Sequence, residues 1–224
     1  MERGLITVIT GPMFSEKTGE LIRRCQKLQQ FGRMSVAVYK PAEDTRFSET
    51  EIVSRMGYRL PSASLPRQLT PDAAAKVIED TKAVNVVAFD EVQFFDRAIA
   101  DLIGTLASEG KHVIAAGLNM DYRGKAFGAI GELLAVADEI VKLHAYCAVC
   151  GSGDAAFTQR VVNGRPATLG PVFLIGDKES YEPRCRRCFV PPHKASTSGA
   201  APSEEASKRS EDGRQIPSGH QEKF

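Results

Sequence analysis

The stretch that most constrains this chain is residues 5 to 18, LITVITGPMFSEKT. Apolar and β-branched side chains dominate it until Gly11-Pro12 breaks the run, which is the pattern of a buried strand entering a loop. From Lys17-Thr18 onward, Leu21, Cys25 and Leu28 recur at helical spacing. Strand, loop and helix in this order can cradle polyphosphate. Backbone N–H groups and the helix N-terminus face the anion, the lysine reaches the outer phosphates, and the next hydroxyl ligates magnesium. Gly11, Lys17 and Thr18 fill the pattern G-x-x-x-x-G-K-[ST], but Glu16 stands where its second glycine belongs. That substitution puts a carboxylate beside an anion site and a side chain where backbone freedom is needed. Taken alone, the stretch is equally well described as a strand-loop-helix that binds nothing.

Strand and helix signals then alternate. SVAVYKP reads as a second strand, followed by the polar connection Asp44-Thr45-Arg46. Residues 47 to 70 have weak periodicity, punctuated by Gly57, Pro61 and Pro66, and read as loop. A short helix from Pro71-Asp72 leads into VNVVAFDEVQFF, whose nearly continuous apolar run suits a central parallel strand covered on both faces. Asp90-Glu91 end that run at the edge where open α/β sheets hold their ligands. A charged pair ending a strand is also ordinary solvated punctuation; the phosphate loop upstream favours a magnesium-associated acid and a general base.

A helix over 96–109, N-capped by Asp96 and closed by Gly110, precedes the strand HVIAAGL, the loop NMDYRGKAFG and a helix GELLAVADEI. The alternation predicts a doubly wound, mainly parallel α/β domain over 1–143.

The texture then changes. Cys147, Cys150, Cys185 and Cys188 form two Cys-x-x-Cys pairs around a Gly-rich, β-leaning stretch, a spacing that supplies four thiolates to a tetrahedral zinc ion. Such a site is structural, because no coordination position stays open; two separate redox pairs or free core cysteines are the alternative. This predicts a small zinc-binding domain over 144–192, and the Ser, Glu, Lys, Gly and Pro of 193–224 predict a disordered tail.

Cysteines paired for metal point to a reducing cytoplasm rather than a disulfide scaffold, whereas Cys25 shares a helix face with Leu21 and Leu28 and reads as core. A net charge of +1 gives no case for nucleic acid or a membrane surface, and no apolar run is long enough to span a bilayer. Arg184, Arg186 and Arg187 beside the last cysteines are the one feature that suggests a zinc-ribbon nucleic-acid binder. The four histidines show no metal spacing.

The strings TGPMFSEKT, KPAEDTR, FDEVQFF, AGLNMDYRGKAFG and IGDKESYEPRCRRC, in that order, resemble the type II thymidine kinases, the cytosolic kind with a zinc-bearing lasso. The resemblance covers roughly residues 4 to 190 and implies a P-loop, RecA-like fold. It implies that Gly11, Pro12, Met13, Phe14, Ser15, Lys17, Thr18 and Arg46 hold ATP phosphates, with magnesium at Thr18, Asp44 and Asp90. Glu91 matches the base that deprotonates the 5′-hydroxyl of thymidine. Phe127 matches the aromatic that stacks on thymine, and Met13, Gln93, Leu118 and Thr158 match positions around the nucleoside. Main-chain groups of Phe173, Leu174, Ile175 and Gly176 would read the base edge, and Tyr181 would contact the nucleoside. The resemblance further implies a homotetramer, acceptance of deoxyuridine, and feedback inhibition by dTTP. This chain departs from the family at Glu16, at Gly19 in place of a small hydroxyl residue, at Arg55 in place of histidine, and at Asn119 in place of aspartate. Glu16 sets up a second reading, a weak or inactive nucleoside binder of the same fold.

Overall fold

The computed structural model describes residues 4–44, 48–168, 170, 172 and 180–192. Arg46, the segment from Phe173 to Gly176 and the tail over 193–224 therefore lie outside the described residues. The chain runs β1 (Leu5–Gly11), α1 (Lys17–Gln30), β2 (Val36–Pro41), β3 (Glu51–Val53), β4 (Arg59–Pro61), β5 (Ala63–Leu65), α2 (Pro71–Asp80) and β6 (Val86–Phe89). A 3-10 turn over Val92–Phe94 leads to α3 (Ala98–Ser108), β7 (His112–Leu118), α4 (Ile130–Val136) and β8 (Glu139–Lys142). Then come β9 (Phe157–Val162), β10 (Arg165–Pro166) and β11 (Ser180–Arg184).

Six strands form the central sheet in the order β5-β2-β6-β7-β1-β8, and each described pairing within it is parallel. Strand periodicity divides the core between the two faces. Val87, Phe89, Val113 and Ala115 pack with Ile99, Leu102, Ile103 and Leu106 of α3 and with Ile130 and Leu133 of α4. Their neighbours Val86, Ala88, Ile114 and Ala116 face Leu21, Ile22 and Cys25 of α1. β6 is buried at every residue, as its unbroken apolar sequence requires. A second sheet, β10-β9-β11, is antiparallel.

Three sequence expectations change. The stretch 47–70 contains a β3-β4 hairpin and the edge strand β5, because Ile52, Leu60 and Leu65 are buried while each strand is too short for alternation to show. The helix expected through GELLAVADEI stops at Val136. Asp138 then exchanges bonds with Ile6, its N–H donating to the Ile6 carbonyl and its carboxylate accepting the Ile6 N–H, both at 2.9 Å, and so starts the strand β8. As an edge strand with exposed side chains, β8 carries little hydrophobic signal. Finally, α3 begins at Ala98; Asp96 accepts the Ala98 N–H at 3.2 Å with one carboxylate oxygen and the Leu69 N–H at 3.2 Å with the other, so it ties two elements together. Among the described residues, no helix is long and apolar enough to cross a membrane.

Cys25 is fully buried, and that burial, together with the negative charge of Asp90, pushes its thiol up to about 12. The native protein should therefore leave Cys25 unmodified by iodoacetamide at neutral pH, as read by mass spectrometry. Cys25→Ser, which buries a hydroxyl among apolar neighbours, should lower stability by about 1–3 kcal/mol in urea titration. A variant as stable as the parent would contradict this packing.

Candidate active site

Because the central strands are parallel, the ends of β1, β2, β6 and β7 open on one edge of the sheet. In register, Gly11 faces Leu118 and Phe89 faces Ala115, so the loop after β1 and the acids after β6 come to the same edge. The β1 loop closes on itself. Pro12 presents its carbonyl to the Ser15 hydroxyl at 2.8 Å and to the Lys17 ammonium at 2.7 Å. Phe14 and Glu16 both take left-handed backbone angles, with φ of 66° and 59°. Glu16 thus adopts the conformation that the motif normally reserves for glycine. Its carboxylate oxygen Oε2 lies 2.9 Å from where a Cβ on Gly19 would stand.

Thr18 donates its hydroxyl to Asp90 Oδ2 at 3.0 Å, joining α1 to the end of β6. The other Asp90 oxygen accepts the Glu91 N–H at 3.0 Å. Burial raises the Asp90 carboxyl to about 7, with Glu91 and Asp44 adding to the rise and the Thr18 bond opposing it. A buried acid beside a second acid holds a cation more readily than a second negative charge.

Glu91 is also left-handed, at φ 51°. Gln93 fixes its carboxylate. The buried Gln93 amide donates to Glu91 Oε2, and its carbonyl oxygen accepts the Leu118 N–H at 2.9 Å. Side chains on the facing glycines would collide with this residue: a Cβ on Gly117 would fall 2.7 Å from Gln93 Oε1, and one on Gly128 would fall 2.3 Å from the Gln93 carbonyl. Phe127, next to Gly128, stands edge-on to Phe94 with ring centroids 5.8 Å apart.

The second sheet meets this edge directly. Met13 donates its N–H to the Thr158 hydroxyl of β9 at 3.0 Å, so two residues expected around the nucleoside are in contact. Tyr181 of β11 pairs with Arg160 of β9. Phe157 and Phe189 stack at 4.5 Å, and Phe189 lies 3.3 Å from the position of a Gly124 Cβ, against the loop that carries Phe127. The buried Gln159 accepts the Val190 N–H at 2.9 Å.

The sulfurs of Cys147, Cys150, Cys185 and Cys188 all lie within 4.8 Å of one another, Cys150 and Cys185 at 3.7 Å. Tetrahedral thiolates around zinc stand roughly 3.8 Å apart, so the four cysteines fit that ion. Burial would raise the Cys147 thiol, but N–H groups of Cys185, Cys150 and Val149 outweigh it and lower the thiol to about 6.

Two contributors, Lys40 and Asp121, were not singled out in the sequence. Lys40, buried at the end of β2, donates to the carbonyls of Asp44 at 2.9 Å, Ser48, and Glu51 at 3.2 Å, bracketing the connection that carries Asp44. A lysine inside an apolar strand was the visible hint. Asp121 gathers the loop 119–128 by accepting the N–H groups of Arg123 at 2.8 Å and Lys125 at 3.2 Å, together with the Arg123 guanidinium. Arg123 is thereby engaged by its own loop. Arg55 stacks over Phe14 at 4.3 Å. Asn119 is buried with Oδ1 lacking a hydrogen-bond partner, so an aspartate there would bury an unpaired charge. Lys40→Met should lower stability by about 2–3 kcal/mol in urea titration by stranding carbonyls that the ammonium now satisfies; an unchanged midpoint would refute that role.

The family model described as thymidine kinase matches residues 4–189. That span takes in the β1 loop, the Asp90-Glu91 pair, the Phe127 loop and all four cysteines. The chain belongs to the thymidine kinase family.

Proposed function

We propose that this protein transfers the γ-phosphate of ATP to the 5′-hydroxyl of thymidine, and of deoxyuridine, to give the nucleoside monophosphate. The observation that carries the reading is the chain of bonds Thr18 to Asp90 to Glu91 to Gln93 at the mouth of the β1 loop. Phosphoryl transfer asks for charge neutralisation, alignment and one carboxylate at the nucleophile. Gly11, Pro12, Met13, Phe14, Ser15 and Lys17 would surround the phosphates, with Arg46 approaching from the β2 connection. Thr18, Asp90 and Asp44 would hold magnesium, which neutralises phosphate charge when bound.

Glu91 would accept the 5′-hydroxyl proton as that oxygen attacks phosphorus, its carboxylate aimed by Gln93. Phe127 would stack on the base, with Leu118, Met13 and Thr158 around it, Tyr181 on the nucleoside, and main-chain groups from Phe173 to Gly176 on the base edge. In this reading residues 1–143 bind nucleotide, 144–192 form a zinc-dependent lasso, and 193–224 are a tail outside the catalytic unit. The family relationship supports cytoplasmic nucleotide salvage by a homotetramer inhibited by dTTP.

The test is transfer of labelled γ-phosphate to thymidine by zinc-replete protein. Glu91→Gln should lower kcat about 10²–10⁴-fold while thymidine still binds. Product from the parent chain at undiminished rate in the variant would remove Glu91 from the chemistry. Thymidine binding with no transfer by the parent chain would make the protein a nucleoside binder instead.

Zinc should be present at one ion per chain by elemental analysis and lost in Cys185→Ser. Because Phe189 and Phe157 lie between the cysteines and the Phe127 loop, that loss should speed hydrogen exchange across 121–128. Unchanged exchange in metal-free protein would show that the loop stands without the cysteine cluster.

A further inference from the structure

Glu16 and Gly19 are two departures from what their local structure would choose, and they meet in space. Glu16 sits at the last loop position before α1, where its carbonyl accepts the Glu20 N–H at 2.9 Å and starts the helix. Its backbone is left-handed, which a β-carbon disfavours, yet its side chain makes no capping bond to the helix.

Gly19 lies inside α1, away from the left-handed region, so the backbone does not require glycine there. Glycine in a helix costs about 0.5–1 kcal/mol relative to alanine. What glycine supplies at this position is room. A Cβ on residue 19 would stand 2.9 Å from Glu16 Oε2 and 3.6 Å from Ser54 Cβ. Ser54 is itself buried at the start of the turn between β3 and β4, so the flexible end of Glu16 is what would have to move.

We propose that Gly19 is a positioning residue for the phosphate loop: the space left by its missing side chain holds the Glu16 carboxylate against the first turn of α1, keeping that negative charge away from the phosphates of a bound nucleotide. The inference rests on the phosphate-binding reading of the β1 loop. It accounts for a carboxylate in that loop without requiring the loop to be disabled. Restoring any side chain at residue 19 expels the carboxylate towards solvent and the loop mouth, where Lys17 has to meet anionic oxygens.

A double-mutant cycle with Gly19→Ala and Glu16→Gly, alone and together, tests the pairing. Binding is read by calorimetry with MgADP, and turnover by the separate KM values for ATP and thymidine. Gly19→Ala should weaken MgADP binding and raise the ATP KM by about tenfold, with the thymidine KM unchanged and the melting temperature the same or higher, since alanine favours the helix. In the Glu16→Gly background the same alanine should cost no affinity. Loss of affinity of equal size in both backgrounds would overturn the proposal, because the effect would then not pass through the carboxylate. So would unchanged MgADP binding in Gly19→Ala. A parent chain that binds no MgADP until Glu16 is replaced would overturn it as well, by showing that the carboxylate obstructs the loop as it stands. A chain that binds MgADP and shows the coupling without phosphorylating thymidine would uphold the pairing while refuting the kinase reading.

Discussion

One hydrogen bond across the sheet organises the ligand-facing edge, that from the Thr18 hydroxyl to the Asp90 carboxylate. β1 and β6 are not neighbours; β7 lies between them, so their ends stand two strand spacings apart, roughly 10 Å. The loop after β1 and the first turn of α1 bridge that gap over the end of β7. Because Asp90 is buried, the bond also stabilises the ionised form of a group that its surroundings would otherwise neutralise. Loop, helix start and acid are thus held together before any ligand arrives, which is what positional catalysis demands.

A second constraint lies one strand over. Gln93 uses its carbonyl oxygen on β7 and its amide on Glu91, and the glycines at 117 and 128 let the backbone close around it. Gly128 immediately follows Phe127, so the same contact that seats Gln93 fixes where the aromatic loop leaves the sheet. Glu91 and the loop that carries Phe127, which come from separate segments, are coupled through one buried amide.

The central architecture was legible wherever burial leaves a clear pattern. LITVITG, VVAF and HVIAAGL are covered on both faces, and their apolar runs mark β1, β6 and β7 with few boundary errors. The paired cysteines were equally plain, since their spacing is itself the geometry of the cluster. Illegible were elements whose partners lie far away in sequence. β8 has exposed side chains and owes its existence to β1, while the β3-β4 hairpin contributes only a few buried residues to the α1 face. Within the site, Asp90 and Glu91 could be found at the end of an apolar run, but the role of Lys40 rests on three carbonyls from a connection that sequence leaves featureless.

Phe14, Glu16 and Glu91 share a backbone property at this edge of the sheet. Each carries a β-carbon on a left-handed backbone, a state that costs of order 1 kcal/mol or more per residue. These three side chains are therefore not where the fold finds its stability. The buried strands and the α1 and α3 interfaces oppose a local tendency of the loop and the acidic turn to relax. Evolutionary drift towards a more stable version of this protein would run through glycine at these three positions. At position 91 that exchange would remove the acid, so the gain in backbone stability and the carboxylate are alternatives there.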